Sequence, residues 1–521
     1  MSRWVACSAL AALSGMLLAA SPLPATPQPR PNLIVVVVDD LGWQDIQLPL
    51  ADSATPSNAR YRTPALLALA ARGTTFTNAY AAAPVCTPSR VAFITGRMPA
   101  TTHVTNWTQH RNEETSESFP GLWPPEWARN GVSPDRATPN AHHGPLLPAL
   151  LQQVGYRTIH IGKAHWGAVD TPGADPHALG FDVNIGGSGA GQSGSYLPAK
   201  RYSSGPGAGR FRDVPGLDQY ADSGVFLTEA LTREATAAMA NAVAQRRPFF
   251  LHFAHFAVHT PIERDRRFAQ RYLDAGLGAR EANYAALIEG VDNSLGDVIA
   301  EAERLGVLEN TLIVFTSDNG GLSAHSRDGT VHTHNAPLRS GKGSAYDGGL
   351  RVPLVIAWPG HGRRGARRHE PVITDDLFAT LLEAARVPDA HRYSTGTRAH
   401  SLLPLLGADT GRQHAVSRRF TNRPLLWHYP HYWGVAGPGI EPFSALRVGR
   451  WKLVHFYGGS RTELYDLDAD LGEQQDLAAR QPALTRRLLT QLGTSLRAAG
   501  AQRPLDATTR REVPWPGATR D

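Results

Sequence analysis

The chain has 521 residues, of which 42% are hydrophobic and 19% are charged. This apolar content is ample for a large core, and it excludes a disordered or fibrous protein. The formal net charge of +6 arises from 52 basic and 46 acidic residues. The excess of basic residues is spread along the chain, mostly as pairs such as Arg246-Arg247, and forms no basic stripe. The charge therefore does not indicate a nucleic-acid partner.

The amino-terminal residues have the pattern of a secretory signal. Arg3 precedes an apolar stretch that ends in small residues at Ala20, and Pro-rich sequence follows. This pattern predicts a signal peptide over residues 1–20, with cleavage as late as residue 25, and a linker over residues 21–31. An uncleaved membrane anchor is the alternative, but the apolar run is at the short end for crossing a bilayer. We therefore expect an exported protein, periplasmic or extracellular and from a bacterium, with no stable membrane insertion.

Export makes the cysteine content informative. Cys7 and Cys86 are the two cysteines of the chain, and Cys7 lies in the predicted signal peptide. The mature protein would hold Cys86 alone and no internal disulfide. A single thiol in an exported protein requires an explanation.

Residues 32–417 alternate short apolar strands with helices. The first strand, Leu33–Val38, is a β-branched run typical of a strand buried on both faces. Further predicted strands are Thr158–Ile161, Phe249–Phe253, Leu312–Phe315 and Val352–Trp358. The predicted helices are Pro64–Gly73, Leu146–Val154, Phe226–Gln245, Tyr284–Leu305 and Thr374–Ala385. This alternation predicts an α/β domain with a large, mixed but mostly parallel sheet between helices.

Residues 418–521 have a different pattern. Short strands at hairpin spacing precede a predicted helix over Leu477–Ala499; they are Leu425–Tyr429, Ala445–Val448, Trp451–Phe456 and Glu463–Tyr465. This pattern predicts a smaller C-terminal α+β subdomain with an antiparallel sheet. Two long irregular stretches, Thr101–Pro145 and Ile185–Gly216, interrupt the first domain, and loops of that length are usually functional or disordered.

Polar side chains follow or end four of the predicted strands. They are Asp39 and Asp40, then Lys163 and His165, then His252, His255 and His259, and finally Asp318 and Asn319. Ligands of open α/β sheets bind outside the carboxyl ends of the strands. Three carboxylates and one amide form an oxygen-rich set that suits a hard cation such as Ca²⁺ or Mg²⁺, although each fragment alone also suits a capped turn.

The segment from Cys86 to Arg97 carries the decisive motif. Pro88 and Ser89 suit the start of a helix, which places Cys86 at its amino end. Free N–H groups and the helix dipole there favour an anion, so we expect a lowered thiol pKa. A buried structural cysteine is the alternative for an isolated residue. The string C-T-P-S-R, followed after four residues by T-G-R, resembles the signature of the sulfatase family, which belongs to the alkaline phosphatase superfamily.

The resemblance extends over nearly the whole mature chain. Further segments that match family motifs in order are Asp39-Asp40, His255–Pro261, Ser317–Gly320, Pro337–Pro353 around Lys342, and Glu463–Leu467. One position departs from the family. Ala164 stands between the lysine and the histidine of the G-K-x-H motif, where an aromatic residue is usual, and we expect a changed pocket wall rather than lost chemistry.

Membership of this family implies a sulfuric ester hydrolase of the arylsulfatase type. A formylglycine-generating enzyme would oxidise Cys86 to formylglycine, whose hydrate supplies the nucleophile. The resemblance also implies one bound cation, Ca²⁺ rather than Mg²⁺. Its ligands would be Asp39, Asp40, Asp318, Asn319 and the residue formed from Cys86.

The resemblance further implies roles for five basic residues. Arg90 would orient the formylglycine. Lys163, His259 and Lys342 would contact the sulfate, and His259 or Lys342 could protonate the leaving oxygen. His165 would act as the base in the step that releases sulfate.

The substrate is expected to be a sulfated carbohydrate rather than a simple aryl sulfate. Export, the long loops and the aromatic residues Trp427, Tyr429, Tyr432 and Trp433 favour sugar binding, although these aromatic residues equally suit domain packing. Histidines on or near loops could also line the entrance or lie at the surface; they are His103, His110, His142, His143, His325, His332 and His334.

Two other functions remain open. A phosphomonoester or phosphonate ester hydrolase of the same superfamily is the first, and the single four-ligand metal set argues against it. A catalytically inactive glycan-binding relative is the second, and the retention of every expected polar residue argues against that.

Overall fold

The computed structural model describes residue 1 and residues 29–205, 210–324, 326–394, 398–407 and 411–518. Apart from residue 1, the predicted signal peptide over residues 1–20 lies outside this part of the chain, as does most of the predicted linker. Within the described ranges, no helix is long and apolar enough to span a bilayer.

A mixed sheet of eight strands forms the centre of the first domain. In chain order the strands of the protein are β1 Asn32–Val38, β2 Thr74–Phe76, β3 Ala79–Tyr80, β4 Leu122–Trp123, β5 Arg157–Gly162, β6 Val183–Ile185, β7 Phe249–Ala254, β8 Thr311–Ser317, β9 Leu354–Ala357, β10 Ala366–Arg368, β11 Val372–Ile373, β12 Leu425–Tyr429, β13 Phe443–Val448, β14 Trp451–Phe456, β15 Arg461–Asp466 and β16 Leu505–Asp506. The central sheet has the order β10-β2-β9-β8-β1-β7-β5-β6, in which β9 alone runs opposite to the others. The predicted mixed, mostly parallel sheet is therefore confirmed.

Helices cover both faces of this sheet, and other helices lie outside it. Within the described residues the α-helices are, in chain order, α1 Pro56–Arg60, α2 Pro64–Arg72, α3 Cys86–Thr95, α4 Pro99–Thr102, α5 Leu147–Gln153, α6 Leu227–Ala244, α7 Ala269–Asp274, α8 Ala279–Arg304, α9 Asp347–Leu350, α10 Asp376–Ala384, α11 Ala390–Ser394, α12 Leu403–Leu406, α13 Gly411–Asn422 and α14 Pro482–Ala498. Alternate residues of β1 enter two different cores: Ile34 packs with α6 and α8, and Val35 packs with α3, α5 and α10. Because a strand sends successive side chains to opposite faces, β1 must be apolar at every position.

The four strands β12–β15 form a separate antiparallel sheet, and α14 packs against it. Its other face joins the first domain through a shared core that contains Tyr80, Val85 and Trp427. This arrangement confirms the predicted antiparallel sheet near the carboxyl end.

Several element boundaries differ from the predictions for identifiable reasons. The last helix begins at Pro482 rather than Leu477, because the N–H of Leu477 donates to the carbonyl of Leu464 in β15. Pro482 then suits the first helical position, where the proline needs no N–H. The edge strand β10 and its neighbour β2 have only three residues each, which is too short for a sequence pattern to show.

Candidate active site

Two adjacent strands bring four oxygen-bearing side chains together. Asp39 and Asp40 follow β1, and Asp318 and Asn319 follow β8, which pairs with β1 so that Val38 lies opposite Ser317. The amide Nδ2 of Asn319 donates to Asp40 at 2.7 Å, and the backbone N–H of Asp40 donates to Asp318 at 3.2 Å. All four side chains are buried. The register of two parallel strands thus builds the predicted carboxylate cluster.

Cys86 joins this cluster from the amino end of α3. Its Sγ lies 3.5 Å from Asp39 and 3.4 Å from Nζ of Lys342. Ligand atoms of Asp39, Asp40, Cys86 and Asp318 all lie within 4.8 Å of one another. Oδ1 of Asn319 is buried without a hydrogen-bond partner among the described residues. This unpartnered oxygen and three carboxylates have the donor chemistry of a site for a hard cation such as Ca²⁺ or Mg²⁺.

Four cationic or basic side chains surround the carboxylates. Nζ of Lys163 lies 2.6 Å from Asp39, and Nζ of Lys342 lies 2.8 Å from Asp40. Two further contacts complete the set: Nε of Arg90 lies 2.7 Å from Asp318, and Nε2 of His259 lies 3.6 Å from Asp40. These pairs compensate the charge of a cluster that water does not reach.

A glycine allows Lys163 and His165 to turn into the site. Gly162 ends β5 with a φ of +97°, and a Cβ there would lie 1.9 Å from the carbonyl oxygen of Ala254 in β7. Only glycine fits such a close backbone approach at a positive φ. Lys163 then follows directly, and its N–H donates to the same carbonyl at 2.8 Å.

The hydrogen bonds of His165 define its tautomer. Nε2 lies 2.8 Å from the carbonyl oxygen of Thr108 and 3.1 Å from the hydroxyl of Thr87. Because a carbonyl can only accept, Nε2 carries the proton. Nδ1 is buried without a partner among the described residues, so it presents a free lone pair. Burial and the neighbouring Lys163 lower the pKa of His165 well below its usual value, and the ring is therefore a neutral base.

The environment shifts the pKa values of the other groups in both directions. Burial raises the pKa of Asp39 to about 7, against the attraction of Lys163. Burial opposes ionisation of Asp40 as well, but Lys342 and His259 hold its pKa below the usual value. The pKa of His259 falls to about 3 because of burial and the positive charge of Lys342.

The expected lowering of the Cys86 pKa is wrong. Burial raises the pKa of the thiol to about 12, and it outweighs the attraction of Lys163 and Lys342. The helix terminus does not offset this desolvation because Cys86 is only 4% exposed and carboxylates stand beside it. The thiol at this position is therefore not a ready nucleophile.

A cavity of about 300 Å³ lies above this centre. Cys86, His165, His259 and Lys342 line it, whereas Arg90, Lys163 and the carboxylates lie beneath. Its remaining lining residues are Val85, Trp107, Thr108, Gln109, Gly189, Gly191, Gln192, Phe211, Arg212, Thr260, Leu322, Trp433 and Val435. Most of these residues were not singled out from the sequence. Many of them lie in the two long irregular stretches, and the length of those stretches was the signal that could have pointed to the cavity.

Several residues that the sequence suggested as part of the substrate pocket lie away from the cavity. None of the described loop histidines lines it, although His110 contacts the lining residue Phe211; His325 lies outside the described residues. Trp433 reaches the cavity, but Trp427 and Tyr429 are buried in domain packing. Ala164 also packs in the core rather than forming a pocket wall.

Comparison with known proteins identifies the family. The pattern of the sulfatase family matches residues 31–387. The chain belongs to the sulfatase family. Its enzymes are sulfuric ester hydrolases, so this protein is a hydrolase of that class. A second pattern, for the carboxyl-terminal part of N-sulphoglucosamine sulphohydrolase, matches residues 341–500.

Individual relatives agree with this assignment. Mouse N-acetylgalactosamine-6-sulfatase is 32% identical over 81% of this chain and 73% of its own length. Human arylsulfatase A is 28% identical over 87% of this chain and 80% of its own length. Among solved structures, that of Ps i-CgsB has a TM-score of 0.71 and 26% identity, covering 90% of this chain and 94% of its own.

Proposed function

We propose that the protein is an exported sulfatase that hydrolyses a sulfate monoester of a carbohydrate. Its nucleophile would be formylglycine made from Cys86, and its cofactor one Ca²⁺. The observation that carries this proposal is the position of Cys86, which lies at the floor of the cavity between the carboxylate cluster and Lys342.

The carboxylate cluster is the proposed cation site. Asp39, Asp40, Asp318 and Asn319 would hold the ion with the residue formed from Cys86, and the orphaned Oδ1 of Asn319 supports this assignment. Such hard oxygen donors favour Ca²⁺ or Mg²⁺ over softer metals. When bound, the cation would supply a Lewis acid that polarises the sulfuryl oxygens.

Conversion of Cys86 would remove the obstacle that its high thiol pKa presents. A formylglycine-generating enzyme would act as the maturation partner, and the hydrated aldehyde would supply a hydroxyl nucleophile. Arg90 is placed to orient this position because it lies on the same helix, and its guanidinium is anchored by Asp318 and by the carbonyl of Lys163.

Positive groups at the floor would bind the sulfate. Lys342 faces the cavity, and Lys163 lies beneath it; both would attract the ester oxygens. Nδ1 of His259 donates to the carbonyl of Thr260 at 3.0 Å, so its Nε2 has no proton when the ring is neutral. The pKa of Lys342 is raised by Asp40 despite burial. Of the two groups, Lys342 is therefore the one with a proton to give the leaving oxygen.

His165 would act as the general base. Its Nδ1 lone pair is free, and Thr108 and Thr87 fix the opposite nitrogen as the donor. A base held in one tautomer can accept a proton without first reorienting.

A sulfated carbohydrate is the proposed substrate class. Relatives that share this family include mammalian N-acetylgalactosamine-6-sulfatases. The aromatic side chains of Trp107, Phe211 and Trp433 line the cavity, and aromatic faces with polar edges suit the mixed surface of a sugar ring. Residues 1–20 would be removed on export, residues 32–417 would form the catalytic domain, and residues 418–521 would form the C-terminal subdomain.

The test compares an aryl sulfate with the matching aryl phosphate, using protein co-expressed with a formylglycine-generating enzyme. We expect faster turnover of the sulfate, which EGTA abolishes and added Ca²⁺ restores. A much higher rate on the phosphate would contradict the proposal and favour the phosphohydrolase alternative. Normal glycan binding without turnover, despite converted Cys86, would favour an inactive binding protein.

A further inference from the structure

The wall of the cavity carries a cation that the proposed chemistry does not use. Arg212 lines the cavity and is only partly exposed. Its guanidinium lies 5.0 Å from the centre of the Phe211 ring. Among the described residues, no carboxylate forms an ion pair with it, and no acidic residue lines the cavity. A guanidinium that faces a ligand cavity without a counter-ion favours an anionic ligand group.

Two other residues of the cavity carry unpartnered polar atoms. Trp107 and Thr108 line the cavity, and the indole Nε1 of Trp107 and the hydroxyl of Thr108 are buried without a hydrogen bond to any described residue. Buried polar groups are costly unless they are satisfied, so such atoms in a binding site are expected to find partners in the ligand. Both atoms can donate to an oxygen.

Direct packing joins these groups into one wall. Arg212 belongs to the single 3-10 turn Arg210–Arg212. The ring of Phe211 in this turn packs edge-on against that of His110, with 4.9 Å between the ring centroids. His110 follows Trp107 by three residues. The carbonyl of Arg212 also accepts from the N–H of Gly194 at 2.9 Å. The two long irregular stretches therefore meet on this side of the cavity.

We propose that Arg212, Trp107 and Thr108 form a subsite for a second oxyanion of the substrate. This inference rests on the proposed function and narrows the substrate class to saccharides that carry another negative group besides the scissile sulfate. A sulfate ester and a carboxylate share the required chemistry, because both accept two parallel hydrogen bonds from a guanidinium. Arg212 is thus a specificity-determining residue rather than a part of the reacting centre.

The test uses three disaccharides with the same scissile sulfate. The first has no other charge, the second carries an additional sulfate, and the third carries a carboxylate. For the matured wild-type enzyme we expect a higher kcat/KM on at least one dianionic substrate. Arg212→Gln should reduce that preference roughly tenfold, chiefly through KM, as expected for loss of one charge-assisted hydrogen bond. Arg212→Lys should restore part of it, because the charge remains without the bidentate geometry.

Arg210→Gln is the matched control. Arg210 lies in the same turn, is exposed and does not line the cavity, so this variant should retain the wild-type preference. Thr108→Val should also reduce the preference, since it keeps the shape of the side chain and removes the hydroxyl. A preference for the disulfated substrate alone identifies sulfate as the ligand, and a preference for the third substrate alone identifies carboxylate.

Three results would overturn the inference. They are a wild-type enzyme with equal kcat/KM on all three disaccharides, an Arg212→Gln variant that retains the preference, and equal losses in Arg212→Gln and Arg210→Gln. In each case, hydrolysis of the disaccharide that carries only the scissile sulfate would leave the proposed function intact. Failure of the proposed function is distinct, because the wild-type enzyme with converted Cys86 would then hydrolyse no sulfate ester.

Discussion

At the scale of single residues, the proposed base His165 depends on the hydroxyl of Thr87, which does not line the cavity. Thr87 accepts a hydrogen bond from the N–H of Thr108 at 3.1 Å and lies 3.1 Å from Nε2 of His165. The Thr87 hydroxyl therefore holds both the base and the loop that fixes its tautomer. Since Thr87 also adjoins Cys86, the same side chain lies within the motif that we propose for maturation.

Thr87→Val should lower kcat by roughly 10- to 100-fold, because the imidazole loses an acceptor and the Thr108 N–H loses its partner. Thr87→Ser keeps the hydroxyl and is the matched control, with activity within a few-fold of wild type. Rates should be normalised to the fraction of Cys86 converted in each variant. Equal activity of the valine and serine variants would contradict the positioning role.

Cys86→Ala should abolish turnover, with a loss of at least about 10⁴-fold, because it removes the nucleophile. Folding should survive, since alanine is tolerated at the start of a helix and fills part of the same buried space. Circular dichroism and thermal unfolding provide the control. Residual sulfatase activity near the wild-type rate in a folded Cys86→Ala protein would exclude the proposed nucleophile.

At the scale of elements, a buried charge cluster joins the C-terminal sheet to the first domain. Nζ of Lys452 in β14 lies 2.7 Å from Asp347 at the start of α9 and 2.8 Å from Glu473. All three side chains are buried. Removal of one member leaves an uncompensated charge out of water, which is strongly destabilising.

Lys452→Met should therefore lower the free energy of unfolding by about 3–5 kcal/mol. Arg233→Met is the control. Arg233 forms an exposed ion pair with Glu229 on α6, and its replacement should lower the free energy of unfolding by less than about 1 kcal/mol. Urea unfolding of both variants measures the difference. Similar midpoints for the two variants would show that the cluster does not hold the sheet to the domain.

The elements also show what the sequence could predict. β1 and β8 were predictable because every residue of a strand buried on both faces must be apolar, and the residues after them were predictable because parallel strands end at one edge. The antiparallel direction of β9 was not predictable, since a short apolar run such as Leu354–Ala357 has no directional signal. Arg212 lies in an irregular stretch, and its place in the cavity follows from tertiary contacts such as that of Phe211 with His110.

At the scale of the whole molecule, buried histidines determine how stability responds to acid. Burial lowers the pKa of several histidines outside the active site; they are His142, His160, His252, His255, His428, His431 and His455. The unfolded chain binds protons at these positions below pH about 6.5, whereas the folded protein does not. Each group therefore costs up to about 1.4 kcal/mol of stability per pH unit as the pH falls below 6.5.

Buried carboxyls make stability depend on pH in the opposite direction, but they are fewer than the buried histidines. Burial raises the pKa of Asp375 and Glu473 to about 7, so the stability that they contribute is lost as the pH rises. We expect the melting temperature to fall steadily between pH 7 and pH 5. His455→Gln should make this decline shallower, because burial lowers the pKa of His455 to about 4. A melting temperature that rises towards pH 5 would contradict this account.

Whether Cys86 gives rise to the nucleophile can be determined from the mass of one peptide. Trypsin should release residues Gly73 to Arg90 as a single peptide from protein co-expressed with a formylglycine-generating enzyme. We expect an aldehyde in place of the Cys86 thiol, with sulfatase activity rising in proportion to the converted fraction. An intact thiol in protein that nevertheless hydrolyses sulfate esters, with the maturation enzyme active on a control, would contradict this expectation.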